Sequence, residues 1–109
     1  EFGGLDAVYA NAGITGGPTP FFELTPEIWA EVLRINLIGP FLAIKHASKV
    51  MIPKGKGSIV CTASVAGIRS GAGPASYSAS KAGGISSTPS VIALFISNPF
   101  PDRLCRPSR

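Results

Sequence analysis

"LDAVYANAG", residues 5–13, is the stretch on which the fold turns. Its apolar run, Leu5 to Ala10, carries a single charge at Asp6 and stops at Asn11 and Gly13. That length and those flanks predict a strand buried in a parallel sheet with both faces covered. The following "ITGGPTP" reads as a loop from its Gly and Pro content.

Outward from this strand, Thr25, Pro26 and Glu27 mark a helix start. Thr caps free N–H groups, Pro is tolerated in the first turn, and Glu suits the positive end of the helix dipole. Ile28, Val32, Ile35, Ile38, Leu42 and His46 then recur at helical spacing, which predicts one helix to about Met51, closed by "PKGKG". "SIVCTAS", residues 58–64, is a second strand by its β-branched and small residues, and "VAGIRSGAGPA" a Gly-rich loop. Small residues from Ala75 to Ala82, with Pro74 at the start, predict a second helix.

The order strand, helix, strand, helix is that of right-handed crossovers in a doubly wound α/β sheet. Here the sheet is partial, incomplete at both ends. After Gly83–Gly84 the pattern dissolves, because Pro89, Pro99, Pro101 and Pro107 interrupt any further element. We therefore divide the chain into residues 1–83, a fragment of a doubly wound α/β domain, and residues 84–109, a tail of unassigned structure. A frameshifted or alternatively spliced reading frame would explain that break. The opening Glu1–Phe2 pair is what the cloning-site hexanucleotide GAATTC encodes, so a vector junction is expected there.

The 109 residues are 45% hydrophobic and 15% charged, with a formal net charge of +4. One domain with a core is expected. Lys45, Lys49, Lys54 and Lys56 surround a helix end, where cations suit the dipole, and form no nucleic-acid stripe. Cys61 and Cys105 make neither a CxxC motif nor a disulfide framework. No apolar stretch is long enough to span a bilayer and no signal segment is visible, so a cytoplasmic protein with neither membrane nor nucleic-acid partners is expected. No metal site is expected. His46 suits a surface or dipole role, and Trp29 packing.

Tyr77 and Lys81 stand four apart, on one helical face. A free tyrosine titrates near about pH 10, and a nearby ammonium favours its charged form. Composition alone gives such a pair in roughly one short chain in ten, so it carries weight only in company. Ser64 supplies that company, at the C-terminal end of the second strand, where open α/β sheets place ligand-contacting groups. A serine there can also simply bond its own loop backbone. Asn36 precedes Pro40, whose missing N–H leaves the Asn36 carbonyl able to take a water.

As a set, "NAG" at residues 11–13, Asn36 in "RINLIGPF", Ser64 in "TASVAG", and Tyr77 and Lys81 in "YSASK" resemble the short-chain dehydrogenase/reductase family. Tyr77 also stands thirteen positions after Ser64, as in that family. The resemblance spans about Leu5 to Gly83. It implies a Rossmann-like fold and hydride transfer between NAD or NADP and an alcohol or carbonyl compound. Tyr77 would be the general acid or base, Ser64 would hold the carbonyl oxygen, and Lys81 would stabilise the phenolate and bond the nicotinamide ribose. Asn36 would hold a water linking Lys81 to solvent. Asn11, Ala12 and Gly13 would bind the cofactor together with Tyr77 and Lys81, with Asn11 tying the central strand to its neighbours.

The resemblance further implies a homodimeric or homotetrameric parent and a small-molecule alcohol or carbonyl substrate. The family's Gly-rich pyrophosphate turn has no counterpart before Leu5, and "TGGP" follows the wrong strand. The 109 residues alone are therefore expected to be inactive, since an incomplete sheet leaves edges unpaired. The alternative function is that of a catalytically inactive truncated isoform acting as a binding partner or antigen.

Overall fold

Thr25 starts the first helix as its sequence predicts. In the computed structural model, which describes residues 3–97 and side chains to residue 87, Thr25 Oγ1 accepts a hydrogen bond from the Ile28 N–H at 3.2 Å. This caps helix α1 (Pro26–Leu33), with Pro26 and Glu27 in its first turn. A short 3₁₀ turn at Phe21–Glu23 leads into it.

The single helix expected from 26 to 51 is three consecutive segments. α1 runs into a π turn at Arg34–Ile38, and α2 (Gly39–Lys54) follows. Pro40 directly follows the π turn within this continuous helical run, and widening the helix ahead of it accommodates the missing N–H. The Gly39 N–H reaches the Arg34 carbonyl, five residues back. The extra residue in that turn rotates everything after it. Val32 is buried as its periodicity predicts and His46 is exposed, in keeping with a surface role, but Leu42 is exposed, and Ala47 and Met51 take the buried face.

Gly55, at φ 69°, ends α2 in the left-handed conformation open to glycine. The chain then enters strand β2 (Ser58–Cys61), which pairs parallel with β1 (Ala7–Ala10) in register Val8 to Ile59. Both strands are shorter than the apolar runs that predict them. Ile59, Ala47 and Met51 form the core between sheet and α2, with Leu5, Val8, Ile44 and Cys61 against it. Gly57 is required there, since a Cβ would lie within 2.8 Å of three Met51 side-chain atoms. The other sheet face differs from the expected burial: Tyr9 is 67% exposed and Val60 52%. Among the described residues, the helices cover only one side.

The last helix, α3 (Ala75–Ser97), continues through Gly83–Gly84 and beyond the expected stop at Ala82. Packing explains Gly83, because a Cβ there would lie 3.1 Å from both methyl carbons of Leu37. Tertiary contact thus outweighs the low helix propensity of glycine. Pro99, Pro101, Cys105 and Pro107 lie outside the described residues. No helix among the described residues is long and apolar enough to cross a membrane.

Candidate active site

Ser76, Tyr77, Ser80 and Lys81 lie on the inward face of α3, and Ser76, Ser80 and Lys81 are buried. Lys81 is only 7% exposed, and its Nζ donates to the Thr62 carbonyl at 3.2 Å, just past the end of β2. The same Nζ stands 5.7 Å from the centre of the Tyr77 ring, within cation–π range. Among the described residues that carbonyl is its one hydrogen-bond partner, so two of its three N–H donors are available.

Asn36 is the centre of the π turn and is 3% exposed. Its Oδ1 accepts from the Ile14 N–H at 2.8 Å, and its Nδ2 donates to the Ile14 carbonyl at 2.7 Å and to Ser80 Oγ at 3.0 Å. The amide orientation is fixed by these partners, since a flip would set its NH₂ against an N–H donor. Gly13 lies beside this cluster. A Cβ on Gly13 would stand 3.2 Å from Asn36 Oδ1 and 3.6 Å from Lys81 Nζ. The glycine therefore leaves open a small space where a buried cation and a buried amide meet.

Ser64 caps the 3₁₀ turn Val65–Gly67, its Oγ accepting from the Ala66 N–H at 3.2 Å. That bond uses an oxygen lone pair, so the hydroxyl proton stays available to a ligand. Gly67 presses this turn onto α3, where a Cβ would be 2.8 Å from the Lys81 carbonyl carbon and 2.9 Å from the Ala82 nitrogen. Gly73 completes the seat: its Cβ would meet both Ala66 Cβ and Tyr77 Cδ1 at 3.1 Å. The two glycines bring the Ser64 turn against the Tyr77–Lys81 segment.

Asn11 and Ala12 are exposed. Asn11 Oδ1 accepts from Thr62 Oγ1 at 2.7 Å, which ties the C-terminal ends of the two strands together. With Tyr9, Ile35 and Pro40 they line a hollow of about 260 Å³. A cleft of about 580 Å³ adjoins the Ser64 turn at Ala66, Gly67 and Gly73 and runs along α3 against Ala75, Ser78, Ala79 and Ala82. Their spacing puts it on the α3 face opposite Tyr77 and Lys81. Two participants had no place in the sequence-based site, the Thr62 carbonyl and the Ser80 hydroxyl. The signal for Ser80 was its position, one turn after Ser76 on a helix whose other inward groups are polar.

Residues 1–93 match the family model for short chain dehydrogenase, and the chain belongs to that family. The match extends past Gly83, where the motif resemblance stops. Momilactone A synthase of Oryza sativa subsp. japonica is 47% identical over 82 residues, covering 74% of this chain and 30% of that protein. Xanthoxin dehydrogenase of Arabidopsis thaliana is 43% identical over 101 residues, covering 85% and 33%. The crystal structure of levodione reductase superposes with a TM-score of 0.72 at 39% identity, over 78% of this chain and 33% of that one. NAD⁺-bound xylitol dehydrogenase gives 0.72 at 38% identity, with the same coverage. The chain spans about a third of the length of these relatives, and the partial Rossmann-like sheet matches their fold.

Proposed function

We propose that the whole protein is an NAD- or NADP-dependent oxidoreductase that interconverts a small-molecule alcohol and its carbonyl compound, with Asn36, Ser64, Tyr77 and Lys81 as its working residues. The observation that carries this reading is the convergence of the Gly13 gap, the Asn36 amide and the buried Lys81 ammonium beside Tyr77. A buried lysine with donors to spare suits a polyhydroxyl ligand such as a nicotinamide ribose. Gly13, Asn11 and Ala12 would flank that ligand. When bound, the nicotinamide supplies the two-electron donor or acceptor.

In reduction, the Tyr77 hydroxyl gives its proton to the substrate oxygen, and in oxidation it takes one back. The Ser64 O–H donates a hydrogen bond to that oxygen and holds it in place. Lys81 offsets the negative charge that Tyr77 gains as its proton leaves. Asn36 fixes the strand-end loop at Ile14 against α3, so the ligand-facing backbone and the proton donor keep one geometry. The exposed apolar residues Ile38, Phe41, Leu42 and Val50 on the helical run support packing against a second copy.

Nicotinamide mononucleotide binding, followed by ligand line broadening in NMR, tests the cofactor half of this reading. Lys81→Met and Gly13→Val should each abolish the broadening seen with wild type. Equal broadening in all three proteins would refute the assignment.

A further inference from the structure

Ser80 is 0% exposed and stands between two groups of the site. Its Oγ accepts from Asn36 Nδ2 at 3.0 Å and donates to the Tyr77 carbonyl at 2.7 Å. The hydroxyl has one proton, and the Tyr77 carbonyl takes it, so the Asn36 NH₂ must be the donor on the other side. The two bonds form a directional chain from the π turn, through Ser80, to the backbone of Tyr77.

A serine that bonds a carbonyl in its own preceding turn competes with the helical N–H for that carbonyl and bends the helix locally. Here the affected turn is the one that separates Tyr77 from Lys81. We propose that Ser80 is a positioning residue: through its hydroxyl, Asn36 sets the relative placement of Tyr77 and Lys81. The role rests on the reading of those two residues as the proton-transfer pair. It assigns Asn36 a side-chain task besides its grip on Ile14.

Ser76 provides an internal comparison. It lies one turn earlier on the same helix, is also 0% exposed, and its Oγ has no hydrogen-bond partner. A buried serine as such and a serine in the chain can therefore be told apart. Tyr9, 67% exposed on β1, serves as a reference tyrosine.

The test is carbon-13 NMR of the tyrosine rings and of the Asn36 side-chain amide in Ser80→Ala, Ser80→Thr and Ser76→Ala. Ser80→Ala should shift the Tyr77 ring and Asn36 amide signals while Tyr9 stays in place. Ser80→Thr, which keeps the hydroxyl, should return both signals toward wild type, and Ser76→Ala should move neither. A folded Ser80→Ala protein with wild-type Tyr77 signals overturns the proposal. If Ser80→Ala does not fold, Ser80→Thr decides: folding with wild-type Tyr77 signals supports the proposal, whereas folding with displaced signals, or not folding, overturns it. These readouts need no turnover, so they can fail while the oxidoreductase reading stands, and the reverse.

Discussion

The Asn36 side chain grips the backbone of Ile14 with two hydrogen bonds, accepting from its N–H at 2.8 Å and donating to its carbonyl at 2.7 Å. This holds a loop just beyond β1 against a helix that starts more than ten residues later. Asn36→Ala removes both bonds and the one to Ser80, and leaves partly buried backbone groups unpaired. The expected cost is about 2–4 kcal/mol, read as a lower urea midpoint. An unchanged midpoint would mean that water replaces the amide without loss.

Gly67 and Gly84 separate by what surrounds them. Gly67→Ala places a carbon under 3 Å from helix backbone that cannot give way, so it should cost about 1–3 kcal/mol and lower the thermal midpoint. Gly84→Ala meets open space inside α3 and should raise stability by about 0.5–1 kcal/mol. A melting series on the two variants checks both signs.

Much of this was legible in the sequence, and the failures have local causes. Thr25 starts α1 because capping is a short-range interaction. The NAG and TAS segments end strands because apolar runs give way there to Gly and polar groups. Leu42 is placed on the buried face by a uniform 3.6-residue period carried through Asn36. The π turn adds one residue at that point, and Ala47 and Met51 take the inner face. The continuation of α3 was hidden for another reason: Gly83 looks like a helix end, and only the Leu37 side chain facing it shows why glycine stands there.

At the surface, Arg34 donates to both carboxylate oxygens of Glu31, at 2.9 and 2.8 Å. These hydrogen bonds, helped by the guanidinium charge, hold Glu31 below its ordinary titration range. A carboxyl lowered in the folded state contributes stability above its unfolded value and loses it as pH falls through the folded one. Both side chains are more than half exposed, so the effect on folding is small and salt-sensitive. NMR titration of the Glu31 carboxyl should show its midpoint rise toward the ordinary value in Arg34→Ala. It should rise in the same direction in high salt.

Thr25→Ala removes the oxygen that accepts from the Ile28 N–H. The expected loss is about 1 kcal/mol. Amide hydrogen exchange should show it as faster exchange confined to the first turn of α1, with α3 unaffected.

Oxidation of NADH or NADPH by the whole protein, followed over a panel of small ketones and compared between wild type and Tyr77→Phe, tests the central claim most directly. The phenylalanine keeps the ring beside Lys81 and removes the hydroxyl that carries the transferable proton. Turnover should fall by roughly 10²–10⁴-fold with cofactor binding retained. Turnover by Tyr77→Phe equal to wild type would contradict the account.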